Sequence, residues 1–158
     1  MGTFDEKDFC NILEEQLNEE WNKIIERAKE RQREKLEELE ERIKAWEALN
    51  PPSFDRVILY HEGEGRFFDL NGALKSVREK GMRRTFKIVY KKGGKYYYVA
   101  TLTIEMSDTL ESLRVTLERR YRNLLEEYKA TKESLTPFID REALKEIGEL
   151  AALKRQIC

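Results

Sequence analysis

Apolar residues return every three or four positions along the first fifty residues. Phe9, Leu13, Leu17, Trp21, Ile24 and Ala28 form one stripe, and Leu36, Leu39, Ile43 and Trp46 form another. No Gly or Pro interrupts the chain between Thr3 and Pro51, and Asn50-Pro51-Pro52-Ser53 is a firm stop. This spacing predicts a helix over residues 5–49. Between the two stripes Lys29–Lys35 carries no apolar side chain, and the stripe slips by one position across it. A continuous helix would run about 66 Å at 1.5 Å per residue, more than the width of a compact domain this size. Three outcomes are therefore open: a bend near Lys29–Lys35, a protruding helix, or pairing as a coiled coil. The stripe can pack on the chain's own C-terminal helices or on a second copy, giving a homodimer through residues 5–49.

The next fifty residues change period. Phe54–Tyr60 is rich in strand formers, His61-Glu62-Gly63-Glu64-Gly65 reads as a turn, and Arg66-Phe67-Phe68 as a short return strand. Asp69 or Asn71 is expected to cap a short helix carrying Leu70, Ala73, Leu74 and Val77, with Gly81 ending it. Arg83–Lys91 and Lys95–Glu105 alternate as a hairpin. A two-residue Gly93-Gly94 turn would put Phe86, Ile88 and Tyr90 on the face opposite to Tyr96, Tyr98, Ala100, Leu102 and Ile104. A three-residue loop, Lys92-Gly93-Gly94, aligns them, and it is the expected register. It sets Tyr90 against Tyr96 and Lys91 against Lys95.

Helical spacing resumes at residues 107–134 with Leu110, Leu113, Leu117, Tyr121, Leu124 and Tyr128, behind a predicted Asp108-x-x-Glu111 capping box. Thr136-Pro137 interrupts. Asp140 then caps a last helix over 140–157. The expected fold class is α+β: a small antiparallel sheet of two hairpins with a short helix, flanked by a long N-terminal helix and two C-terminal helices. The expected division is 1–50 as a long helix or helical hairpin and 51–158 as the α+β core, with the sheet at 54–105.

Composition adds a thermal niche. Charged residues make up 39% of the 158 residues, yet the net charge is −1. Glu is 25 against 6 Asp, with 15 each of Lys and Arg and only 3 Gln. This balance matches hyperthermophile proteins, where ion-pair networks cost less desolvation. Designed chains and helix-rich mesophilic chains also show it. The absence of a long apolar run excludes a membrane span, and the acidic start lacks the apolar region of a secretory signal, so a cytoplasmic protein is expected. Small archaeal or viral mobile-element proteins share this composition. Cys10 and Cys158 are the only cysteines. Two reduced thiols are the first reading. The second is a disulfide joining the first helix to the last, which hyperthermophile cytosols permit.

Charge is divided unevenly. Residues 1–50 carry a net −6, and residues 75–95 a net +8 with a single acid, Glu79. The basic block is Lys75, Arg78, Lys80, Arg83, Arg84, Lys87, Lys91, Lys92 and Lys95. In the expected register Lys87 and Lys91 share the non-core face with Tyr97. Lysines mixed with an aromatic ring suit phosphate contact and base stacking, largely without sequence preference. The expected function is thus a non-enzymatic accessory protein that binds DNA or RNA through this region, with no cofactor. Two alternatives stand beside it. One is a helical interaction module whose basic block meets an acidic partner. The other is a metal-dependent hydrolase around His61, the only histidine, with Glu62, Glu64, Asp55 or Asp69. Strand-edge lysines that deter aggregation, or an internal ion-pair network, would also account for the block. No Walker-type GxxxxGK and no GxSxG elbow occurs.

Overall fold

The computed structural model describes residues 6–158, so the Asp5 start of the expected first helix lies outside the described residues. The elements are α1 (Glu6–Glu47), β1 (Ile58–His61), β2 (Arg66–Phe68), α2 (Leu70–Lys80), β3 (Arg84–Lys92), β4 (Lys95–Ile104), α3 (Leu110–Glu133) and α4 (Arg141–Ile157), with a short 3-10 turn at Thr136–Phe138. The fold class is α+β, with one four-stranded antiparallel sheet ordered β2-β1-β3-β4. The chain forms two compact units, Met1–Glu37 with Lys129–Cys158, and Glu38–Tyr128.

In the first unit α1 passes through Lys29–Lys35 without a break. Gln32 resolves the slipped stripe. Its Nε2 donates to the carbonyls of Thr131 at 2.8 Å and Ser134 at 3.4 Å, at the end of α3. A helix leaves its last carbonyls unpaired, so a polar side chain here does what an apolar one cannot. Arg31 Nη1 adds a bond to the Phe138 carbonyl at 3.2 Å. Leu13, Ile24 and Ala28 are buried, but Phe9 and Trp21 of the predicted stripe remain 41% and 44% exposed. Asp140 caps α4 by accepting from the Glu142 N–H at 3.0 Å. Of the two readings of the cysteines, the structure has the bonded one: Cys10 and Cys158 form a disulfide with Cα atoms 6.1 Å apart.

The second unit holds the sheet and its core. Leu59, Phe86, Ile88, Leu102 and Ile104 point from one sheet face into a cluster with Leu74 and Val77 of α2, Leu39 and Trp46 of α1, and Leu113 and Leu117 of α3. Each such burial removes an aliphatic or aromatic side chain from water and is worth about 1.5–3 kcal/mol. Asp69 accepts the Gly72 N–H at the start of α2, and Gly81, with φ 68°, closes its end. Two expectations for this unit fail. The strand does not begin at Phe54: Asn50 and Phe54 both take positive φ around a cis Pro51-Pro52 bond. Phe54 is instead a buried plug, edge-on to Trp46 with ring centroids 6.3 Å apart. Nor is Asp108-x-x-Glu111 the capping box of α3. Thr109 Oγ1 accepts the Ser112 N–H at 3.1 Å, and Ser112 Oγ accepts the Thr109 N–H at 2.8 Å. Asp108 turns back to the Glu105 N–H at 2.8 Å.

The hairpin register is the main correction. Lys92 pairs with Lys95, Lys91 with Tyr96, Tyr90 with Tyr97 and Val89 with Tyr98; the register then shifts, so that Ile88 pairs with Ala100 and Phe86 with Leu102. The turn is the two-residue Gly93-Gly94 form, both glycines at positive φ, 59° and 76°. That backbone follows the strand twist, as a primed turn does. The extra residue that aligns the apolar faces sits at Val99, in a bulge inside β4, and not in the loop.

Both edges of the sheet are guarded. β2 is three residues long. On β4 the bulge interrupts the edge, and Arg120 Nη1 donates to the Thr101 carbonyl at 2.6 Å. Short edges, bulges and edge cations deter pairing with a second chain.

Candidate nucleic-acid interface

The nine basic residues of the 75–95 block do not act together. Five are engaged within the second unit. Arg78 Nη2 donates to the Asp108 carbonyl at 3.1 Å. Lys80 lies 3.7 Å from Glu64, Arg83 3.9 Å from Glu105 and Lys87 3.2 Å from Glu62. Arg84 is the most enclosed, its side chain only 8% exposed. It bonds Glu64 Oε1 at 2.7 Å, Ser76 Oγ, and the His61 ring nitrogens at 3.1 Å.

The β1–β2 turn explains this sharing. His61 Nδ1 accepts the Glu64 N–H at 3.1 Å and so folds the turn onto itself. Glu64 is thereby held beside Arg84 and Lys80. The hydrogen bond from Arg84 is the main reason the Glu64 carboxyl ionises below its usual pH, with Lys80 and His61 adding to it; partial desolvation opposes. His61 thus serves a cation-rich polar cluster. Among the described residues no group of three or more His, Cys, Asp or Glu side chains converges to hold a metal ion.

Lys75, Lys91, Lys92 and Lys95 remain exposed, and none has an acidic partner among the described residues. Lys75 is on α2. The other three gather at the end of the β3–β4 hairpin, Lys92 and Lys95 directly opposite each other. Like charges so placed repel, and a bound anion relieves them.

The rings of this hairpin are sorted by the bulge. Tyr97 is not with Lys87 and Lys91, as expected; it stacks on Tyr90, ring centroids 5.2 Å apart and 18° from parallel. Tyr96 takes the place opposite Lys91, whose Nζ lies 5.6 Å from its ring centroid. Tyr96 also stacks on Phe67 of β2, and Phe67 meets Tyr60 of β1 at 4.7 Å with the planes tilted by 39°. None of Tyr60, Phe67, Tyr96 and Tyr98 was among the expected nucleic-acid-binding residues; Tyr96 and Tyr98 were expected on the core-facing side of the return strand. The Gly93-Gly94 dipeptide was the available signal: read as a two-residue turn, it moves Tyr96 onto the lysine face.

The arrangement offers three unpaired lysines at a hairpin tip with exposed tyrosines just behind them. Among the described residues no helix is long and apolar enough to cross a membrane. No protein-family model, curated protein or solved structure matches this chain.

Proposed function

We propose that this protein is a non-enzymatic accessory protein that binds nucleic acid through the β3–β4 hairpin, largely without sequence preference. The observation that carries the reading is the tip: among the described residues Lys91, Lys92 and Lys95 have no acidic partner, while Lys80, Arg83, Arg84 and Lys87 are paired. Phosphates supply the charge that the fold withholds from these three. Lysine contacts to phosphate position a strand without reading its bases, which accounts for the lack of sequence preference.

Three phosphate contacts imply a modest salt dependence. Affinity should fall about 20- to 40-fold between about 50 and about 200 mM salt, where nine contacts would cost thousands-fold or more. A shift assay with DNA and RNA at the two salt concentrations measures this. Replacing Lys91, Lys92 and Lys95 by Glu should abolish binding without moving the unfolding midpoint. Absence of binding by the unaltered protein at the lower salt refutes the proposal.

A further inference from the structure

The exposed rings narrow the nucleic-acid reading, on which this inference rests. Tyr96, Tyr97 and Tyr98 are consecutive on the edge strand β4, at 45%, 43% and 59% exposed. Tyr96 and Tyr97 are each held by a stacking partner, and Lys91 stands over Tyr96. Tyr98, the most exposed, stacks on no ring among the described residues. Large apolar faces left in water beside unpaired cations suit a ligand with both π-faces and phosphates. A duplex hides its base faces in its own stack, whereas a single strand can lay its bases on such rings. The few free lysines point the same way, because duplex binding without base contacts rests on many phosphate contacts. Neither ring stacking nor a lysine–phosphate contact involves the sugar.

We infer that the β3–β4 hairpin binds single-stranded nucleic acid, DNA and RNA alike: one base stacks on Tyr98, another on the face of Tyr96 away from Phe67 as Lys91 turns from that ring to a phosphate, and Lys92 and Lys95 hold neighbouring phosphates. The two tyrosines supply the preference for single strands, and the lysines supply the salt dependence.

Fluorescence anisotropy with labelled oligothymidylate, oligouridylate and a duplex of equal length tests this at about 50 mM salt. The two single strands should bind alike, and about tenfold or more tighter than the duplex. Tyr98→Ala should weaken single-strand binding about fivefold or more and leave duplex binding and the salt slope unchanged. Tyr98→Phe, which keeps the ring, should restore it. Tyr98 is chosen because no ring stacks on it, and an unchanged urea midpoint confirms that the variant is folded; Tyr96→Ala is the second variant. Equal binding of duplex and single strand overturns the inference and leaves the broader reading standing, as does intact single-strand binding in both alanine variants. A preference of about tenfold for either sugar overturns the indifference to the 2′-hydroxyl. Absence of all nucleic-acid binding by the unaltered protein removes both.

Discussion

Phe67 and Tyr96 lie on the two edge strands of the sheet, yet their rings stack with centroids 4.3 Å apart and planes 20° from parallel. The sheet face away from the core is therefore curled until its margins meet through side chains. Tyr60 of β1 packs at a tilt against Phe67, 4.7 Å between centroids, and Val89, on the same face as Tyr60 and Lys87 by register, is 6% exposed. A twisted sheet with an internal bulge bends more strongly than a flat one, which brings the edges within reach.

The stack should be measurable as a coupling. Phe67→Ala and Tyr96→Ala should each lower stability, and a double-mutant cycle should return a coupling of about 0.5–1.5 kcal/mol. Urea unfolding of the four proteins reads it. Additive losses would mean that the rings are neighbours without a favourable contact.

Glu64 predicts an acid sensitivity. Its folded-state pKa lies below the unfolded value, chiefly through the hydrogen bond from Arg84. Such a group stabilises the fold above its unfolded pKa, and that contribution is lost as pH falls through the folded value. The stability difference between the unaltered protein and Glu64→Gln should be present at pH 7 and should vanish well below the ordinary carboxylate range. Urea midpoints across an acid series check this. A difference that persists at the acid end would assign the effect to packing and not to charge.

Gln32 was invisible as a structural residue, because nothing in the local pattern distinguishes it from a surface glutamine. Gln32→Ala should cost about 1–3 kcal/mol, since the Thr131 and Ser134 carbonyls lose a partner in a part-buried setting. Gln32→Leu, which would continue the apolar stripe, should not rescue it. Thermal unfolding of both variants decides; full stability of the leucine variant would show that apolar packing suffices there.

The disulfide closes nearly the whole chain, its cysteines 148 positions apart. Loop-closure entropy sets its contribution at about 5 kcal/mol at most. Cys10→Ser, or reductant, should lower the urea midpoint, and the intact mass without reductant should be short of two hydrogens. A full-thiol mass with an unchanged midpoint would return the cysteines to the reduced reading.

The glycine turn carries its own test. Space around Gly94 is open, so a methyl group there meets nothing. Its φ of 76° is nonetheless costly for an L side chain. Gly94→Ala should therefore destabilise by about 1 kcal/mol through the backbone alone, and Gly94→Asn by less. Chemical denaturation of the two variants distinguishes backbone strain from a packing defect.

Much of the architecture was legible along the chain. Asp69 and Gly81 bound α2 as their chemistry requires, the stripes of α1 and α3 kept helical spacing, and Phe86, Ile88, Leu102 and Ile104 faced the core by strict alternation. These features rest on contacts within a turn or a strand, which neighbouring residues specify. The charge division was also legible, −6 in the first fifty residues and +8 in the 75–95 block. What the block does was not, because an ion pair depends on which turn of chain lies alongside. Glu62 and Glu64 come from a hairpin about twenty residues before Arg84 and Lys87, and only the β1–β3 pairing brings them together. The bulge at Val99 has the same character: one residue of slack reverses every side chain beyond it, since strand side chains alternate. The sequence by itself determined the elements, their caps and the core-facing alternation, all set at short range. Only the tertiary structure decided which lysines stay unpaired, which face Tyr96 and Tyr97 occupy, and that Gln32 and the two cysteines have distant partners, because those outcomes depend on pairings between remote segments of the chain.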